Sequence, residues 1–275
     1  MTGTLYVVAT PIGNLEDITY RAVRTLREAD LIACEDTRHT RTLLDHYAIA
    51  KPLVSYHEHN ETERSEELVE RMQAGVNVAL VSDAGMPLIS DPGYRVVTAA
   101  IREGIRVVPI PGPSALVAAA AGSGLATDAF YFGGFLPAKS GARERTLEAL
   151  REETATLLFY EAPHRIVETL ADVEKVLGPR AVVVARELTK LHEEFLRGSA
   201  AEVRDELASR ASVKGEITLL IGKAAEPAVE TIPIGDAVER YIREGMSRMD
   251  AIKQVARERR MPKRDVYRRT QIDES

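Results

Sequence analysis

Residues 78–93, VALVSDAGMPLISDPG, decide how this chain is read. The apolar run at 78–82 stops abruptly and is followed by Gly85, Pro87, Pro92 and Gly93, the punctuation of a strand whose C-terminal end opens into a crevice. The pattern recurs in VVPIPGPSALVAAA, where a second strand runs through Pro111, Gly112 and Pro113 into a helix with Ser114 as its N-cap. Ligands of parallel α/β sheets sit at such strand ends. Gly and Pro let bare N–H and C=O groups approach a ligand closely, so a site built chiefly from main chain is expected.

Working outward, strands are predicted at 5–9, 31–34, 52–55, 78–82 and 105–110. Helical patterns such as ITYRAVRTLREAD and ETERSEELVERMQAG separate them, with apolar residues three and four apart. That alternation argues for parallel βαβ units. The second half has strands at 130–135, 156–160, 181–186, 194–197 and 216–221, with helices at 165–177 and 200–208. The short interval between the third and fourth predicts an antiparallel hairpin and hence a mixed sheet. The expected fold class is therefore α/β with two domains, a parallel N-terminal sheet and a mixed C-terminal sheet, plus a small helical C-terminal tail. Boundaries are placed at 1–122, 123–225 and 226–275. The Ala- and Pro-rich AAEPAVETIPIG reads as a linker, and three short helices follow. Ser247 is the expected N-cap of the second, Ala251, Ile252, Val255 and Ala256 form its apolar stripe, and Pro262 opens the third. The last two resemble a helix-turn-helix; a cap packed on the body has the same spacing.

The composition, 45% hydrophobic and 28% charged over 275 residues, is that of a globular protein with sizeable cores. Cys34, the lone cysteine, excludes internal disulfides and cysteine metal clusters, and its apolar surroundings predict a buried strand position. The start MTGTLYVVATP has no charged leader pattern, and no apolar run approaches the roughly 20 residues a membrane span needs, so a cytoplasmic protein with no membrane partner is expected. Between Arg240 and Thr270 stand eleven Lys or Arg against four acids, a local +7 in a chain whose net charge is −6. A basic tail on an acidic body is the pattern of a polyanion-binding segment, or of a helix face charged only for solubility.

The first strand ends in TPIGN, yet neither G-x-G-x-x-G nor a GxxxxGK[ST] loop occurs, which argues against pyrophosphate and for a ligand without phosphate. Three polar clusters stand near strand ends, EDTRHTR at 35–41, YHEHN at 56–60 and YEAPHR at 160–165. Asp36 and Thr37 are also capping types ahead of a helix. His57 and His59 lack a third ligand at a diagnostic spacing, so no metal is expected, and no G-x-S-x-G elbow supports a serine nucleophile.

Taken together, ATPIGNLEDIT, EDTRHT, SYHEHNE, VSDAGMPLISDPG, PIPGPSA, FYEAPHR and ARELTKLHEE resemble the ribosomal RNA small subunit methyltransferase I family. That family lies in the tetrapyrrole methylase superfamily. The resemblance runs from about Leu5 to Ile221. Porphyrin and corrin methylases usually carry a GDPxxF-like signature where this chain has Gly85-Met86-Pro87-Leu88-Ile89-Ser90, and TPIGN replaces their Gly-rich first turn. Both departures favour the rRNA subgroup. The resemblance implies S-adenosylmethionine as cofactor and 2′-O-methylation of cytidine 1402 in 16S rRNA of the 30S subunit, by a homodimer. A tetrapyrrole C-methyltransferase and a non-catalytic nucleic-acid-binding protein are the alternatives.

On the same resemblance the cofactor lies between the two domains. Pro11, Ile12, Asp83, Ala84, Gly85, Met86, Pro87, Ile89, Ser114 and Ala115 face it from the first, and Tyr160, Glu161, Ile217 and Thr218 from the second. Candidates for a general base are Glu35, Asp36, Glu58, Asp83, Glu161 and Glu187, with Glu187 expected to be ion-paired instead. Arg38, Arg41, Arg143, Arg145, Arg165 and Lys190, with the basic tail, are the expected RNA-phosphate contacts.

Overall fold

The computed structural model describes residues 2–224, 232–259 and 261–272, and forms two compact units that divide after Ala224. In the first unit, strands β1 (Thr4–Val8), β2 (Leu31–Cys34), β3 (Leu53–Ser55), β4 (Val78–Val81) and β5 (Arg106–Ile110) build a wholly parallel sheet in the order β3-β2-β4-β1-β5. Side chains alternate along each strand and sort the helices onto two faces. Leu31, Ala33, Val78 and Leu80 pack against α3 (Glu61–Gln73) and α4 (Tyr94–Arg102). Ile32, Cys34, Ala79 and Val81 pack against α1 (Tyr20–Glu28) and α2 (Thr37–His46). The helices leaving β1 and β4 thus diverge to opposite faces. Neighbouring strands whose connections part in this way leave a crevice at their C-terminal ends.

The second sheet, in the order β6-β7-β10-β8-β9, is mixed. Strands β6 (Phe130–Phe135) and β7 (Thr156–Glu161) run parallel, while β8 (Ala181–Arg186), β9 (Glu194–Ser199) and β10 (Ile217–Ile221) supply the antiparallel pairings. The predicted hairpin is β8–β9. One face carries Leu157, Phe159, Val182, Val184 and Leu219 and is covered by α6 (Ser140–Ala149), α7 (Ile166–Leu177) and α8 (Ala200–Ala208). The other, with Leu158, Val183, Ala185 and Leu220, is covered by α5 (Ala115–Ser123) and by Ile12 from the end of β1. The two sheets therefore share a core, and α5 ends at Gly124 in the left-handed conformation that favours glycine.

In the second unit α9 (Ile234–Arg243), α10 (Arg248–Glu258) and α11 (Lys263–Ile272) surround Ala237, Val238, Ala251, Ile252, Val255, Ala256 and Val266. The Ser247 side chain accepts a hydrogen bond from the Asp250 N–H, as its N-cap position requires. Most of the expected linker lies outside the described residues. Among the described residues no helix is long and apolar enough to cross a membrane.

One expected RNA contact belongs to the core. Arg143 is fully buried: its Nε donates to Asp172 Oδ2 at 2.7 Å and its Nη1 reaches the carbonyls of Pro137 and Ala138. A guanidinium committed in this way cannot meet a phosphate without unpairing a buried carboxylate, so it staples α6 to α7 instead. Removing one partner leaves a buried charge. Asp172→Ala is expected to lower stability in urea unfolding by about 3–5 kcal/mol, whereas replacing both residues by apolar ones of similar volume recovers most of that loss.

Candidate functional site

The turn after β4 is tied to the turn after β1. Thr10 N–H donates to the Gly85 carbonyl at 2.8 Å, Gly85 N–H donates back at 3.0 Å, and the Thr10 hydroxyl donates to the Ser82 carbonyl at 3.0 Å. Gly85 sits at φ +82°, where a Cβ brings strain. Beyond it the chain bends hard: Leu88 and Ser90 both take positive φ, 74° and 66°, although neither is glycine. Such conformations persist only where the surroundings impose them, and they cluster at functional sites. Here they bracket Ile89 and bring Asp91 round to the strand ends.

The second sheet presents its own strand ends opposite. The β7–β10 register sets Ile217 beside Glu161, and β10–β8 sets it beside Arg186, so the ends of β7 and β8 and the beginning of β10 share one edge. Loop residues Glu187 and Thr189 again have positive φ, 52° and 67°. Two strained loops, one from each sheet, thus flank a cleft of about 350 Å³. Its apolar walls are Ile12, Met86, Ile89, Phe135, Ala185 and Leu188. Its polar groups come from Ser90, Asp91, Ser114, Tyr160, Glu161, Glu216 and Thr218.

Eleven of the fourteen residues expected to hold a cofactor line this cleft: Ile12, Ala84, Gly85, Met86, Ile89, Ser114, Ala115, Tyr160, Glu161, Ile217 and Thr218. Pro11 and Pro87 are buried behind the wall, and the Asp83 carboxylate is turned to accept the Asp36 N–H at 3.1 Å, tying β4 to β2. Sequence reasoning missed Ser90, Asp91, Phe135, Ala162, Pro163, Ala185, Leu188, Gly215 and Glu216. Most stand within a few residues of a predicted strand end, and that position was the available signal.

The candidate bases are distributed unevenly. Glu161 lines the cleft but is saturated: Oε1 accepts from the Ala162 N–H at 2.7 Å and Arg165 Nε at 2.9 Å, and Oε2 accepts from the Thr169 hydroxyl at 2.7 Å. Glu187 accepts from Lys190 Nζ at 2.9 Å and from the Glu216 N–H at 3.0 Å, and that backbone bond first, then the lysine, holds its carboxyl below the usual range. Asp36 caps α2 and is held at about 2 by hydrogen bonds from Arg38. Glu58 is exposed and outside the cleft, and Glu35 lies behind it with a carboxyl raised by burial and then by Asp83. Asp91 differs. Burial first, and the Glu35 carboxylate second, push its carboxyl up to about 6.

Among the expected phosphate contacts, Arg38, Arg41 and Arg145 are exposed. Arg165 and Lys190 are mostly buried and paired, Arg165 with Glu161 and Lys190 with Glu187 and Glu216. No Lys, Arg or His lines the cleft among the described residues, whereas three carboxylates do. Chemically the cleft suits a ligand with an apolar face, hydrogen-bonding edges and a positive charge, and it rejects phosphate.

Comparison with known proteins agrees with this geometry. The family model for tetrapyrrole (corrin/porphyrin) methylases matches residues 4–204. A protein of Halalkalibacterium halodurans named ribosomal RNA small subunit methyltransferase I is 52% identical over 271 residues, covering 96% of this chain and 93% of the relative. A Bacillus subtilis protein of the same name is 45% identical over 96% of this chain and 93% of its own length. Among solved structures, a uroporphyrin-III C-methyl transferase of Thermus thermophilus complexed with S-adenosylhomocysteine aligns with a TM-score of 0.56 at 21% identity, covering 81% of this chain and 98% of that one. At that identity the likeness speaks for the fold alone.

The left-handed turn makes Gly85 the sensitive point of the cleft. Gly85→Ala is expected to cost about 1–2 kcal/mol in urea unfolding, because the added Cβ meets only ordinary contacts and the penalty is conformational.

Proposed function

Because the chain belongs to the ribosomal RNA small subunit methyltransferase I family, within the tetrapyrrole methylases, we propose that it transfers a methyl group from S-adenosylmethionine to the 2′-hydroxyl of a ribose in small-subunit rRNA. The family reading puts the target at cytidine 1402 of 16S rRNA. The observation that carries the proposal is the cation-free, carboxylate-bearing cleft at the joined strand ends.

The cleft fits this cofactor. Its volume lies within the about 300–1,000 Å³ of small-molecule sites. Ile12, Met86, Ile89 and Leu188 would wall an adenine, and backbone groups of the Gly85 turn would serve its hydrogen-bonding edge. Ser114, whose side chain makes no capping bond, opens α5; the Leu116 N–H of that first turn serves the Tyr160 hydroxyl, and the Ala115 N–H beside it would receive a carboxylate. The bound cofactor supplies an activated methyl on a sulfonium. Residues of this chain do the rest: they fix the approach of the hydroxyl, exclude water, and stabilise positive charge without presenting any cation of their own.

For the RNA, exposed Arg38, Arg41 and Arg145 and the +7 segment are the remaining phosphate contacts, with Arg165 and Lys190 engaged in holding the cleft. A ribose reaching such a cleft must come from single-stranded or splayed RNA. A homodimer acting in the cytoplasm belongs to the same reading, since an acidic body gathers more positive surface when two copies act together.

The deciding experiment offers labelled S-adenosylmethionine and 30S subunits lacking the modification to the full chain, then maps the label by nuclease digestion. Label on one ribose is the expected result. Cofactor binding without transfer favours a non-catalytic RNA-binding protein, and transfer to a uroporphyrinogen in place of RNA favours a tetrapyrrole enzyme. Affinity for the subunit is expected to fall steeply between 50 and 200 mM salt, roughly tenfold or more for every two or three phosphate contacts, and a flat response refutes the assigned arginines.

A further inference from the structure

Three carboxylates reach the cleft, and two of them are already occupied. Glu161 is fully buried and accepts from Arg165, Thr169 and a backbone N–H. Glu216 pairs with Lys190 at 3.1 Å and points largely to solvent, its side chain 72% exposed. Asp91 forms no ion pair among the described residues. Arg95, four residues on, is committed to Glu61 at 3.5 Å. Around Asp91 stand the carboxylates of Glu35 and Asp83, the Ser82 hydroxyl, and the Tyr160 phenol across the cleft on β7. Leu88 and Ser90, both held in left-handed conformations, fix the loop that delivers it. That loop is held from behind, since the Leu88 side chain lies against Gly93 so closely that a Cβ there would approach Leu88 Cδ1 to 2.9 Å.

From this arrangement we infer that Asp91, at the cleft's edge between the two sheets, is the catalytic base that accepts the proton of the substrate hydroxyl. The inference rests on the methyl-transfer reading above. As the hydroxyl oxygen forms its bond to the methyl carbon, the carbon–sulfur bond breaks with its electron pair left on sulfur, and the hydroxyl proton passes to a carboxylate oxygen of Asp91. Charge balances: the cation becomes a neutral thioether and the carboxylate a neutral acid. Glu35 and Asp83 assist by repulsion, since neighbouring negative charge makes a carboxylate a better proton acceptor. With its carboxyl at about 6, Asp91 is largely ionised at neutral pH and still a far stronger base than an ordinary aspartate.

Asp91→Asn in the full chain, measured in three ways, tests this. Single-turnover transfer to 30S subunits lacking the modification is expected to fall about 10²–10⁴-fold, the usual contribution of a positioned base. Affinity for S-adenosylhomocysteine, by calorimetry, is expected to stay within about threefold, since a base that acts on the hydroxyl is not needed to hold the cofactor. The third readout is independent of activity. An aspartate that ionises less readily in the fold than in the unfolded chain gives stability that is complete below its ordinary value of 3.8 and lost as pH rises through about 6. The amide does not titrate, so the melting temperature of the variant relative to wild type is expected to climb across that window and level off above it.

Asp91→Glu, which keeps a carboxylate, is expected to exceed the amide variant's turnover at least about tenfold. The proposal is overturned by Asp91→Asn turnover within threefold of wild type, by parallel loss of cofactor affinity and turnover, by a flat melting difference, or by a Glu variant as slow as the amide. Absence of transfer by the wild-type chain overturns the methyl-transfer reading and this proposal with it. Normal wild-type transfer beside an active amide variant overturns the role of Asp91 alone.

Discussion

The structure of the larger unit depends on one packing contact, the seating of Ile12 and α5 on the otherwise open face of the second sheet. Leu158, Val183, Ala185 and Leu220 would lose their cover without it, and the strand ends of the two sheets would have no fixed relation. Residues at this junction serve twice. Ile12, Ala115, Ala185 and Leu188 belong to the shared core and also form cleft wall. Close approach demands small residues, and α5, ALVAAAAGS, supplies them; a Cβ on Gly122 would stand 2.5 Å from the Phe195 ring. The part of the cleft wall drawn from core residues is in place before any ligand arrives, which lowers the ordering cost of binding.

Charge and strain follow from that junction. Four non-glycine residues with positive φ lie on the two loops that meet across the cleft, Leu88 and Ser90 on one side and Glu187 and Thr189 on the other. Each costs of order 1–3 kcal/mol and needs an anchor. On the first side the anchors are the Thr10–Gly85 bridge and the packing of Leu88; on the second they are the Glu187 N–H donating to the Glu216 carbonyl, the Glu216 N–H donating to the Glu187 carboxylate, and the clamp of Lys190, whose stem lies over Gly13. The cations near the cleft are thereby spent on neighbouring carboxylates, and the cleft is left with its negative character.

Much of this was legible because the signals are local. Most strands are apolar runs bounded by Gly, Pro or polar clusters, and LIAC and VALV are the short continuous apolar runs expected of parallel strands buried on both faces. The cleft residues that were anticipated lie on the turns whose Gly and Pro announced themselves. The others are non-local. Leu188 and Gly215 line the same cleft as Ile12 only because the register of β10 puts its start beside the ends of β7 and β8, and no spacing in the sequence encodes that. Asp91 stands in plain view in ISDPG beside Pro92 and Gly93, but nothing in its spacing sets it apart from the other carboxylates of the chain, and it is absent from the candidate bases. Arg143 was misassigned because SGARERTLEAL looks like a solvated helix; its four-residue separation from Leu147, a residue of the core, was the clue that they share a face.

A fold shared with enzymes acting on porphyrins does not by itself choose a substrate, since folds host many chemistries and sites decide among them. On the proposed reading the cleft would hold the donor and leaves the acceptor unspecified. Its apolar walls and free carboxylate suit any acceptor whose nucleophile must lose a proton, so discrimination has to come from groups outside it. On the larger unit the groups available are exposed guanidiniums that hold nothing in the core, Arg41 and Arg145 among them, and Arg38, whose side chain is 91% exposed although it pairs with Asp36. Arginines on a body of net negative charge act by position more than by field, since the long-range potential works against them. An acceptor recognised in this way must bring several phosphates in a fixed spacing, which a folded RNA supplies and a single tetrapyrrole ring does not.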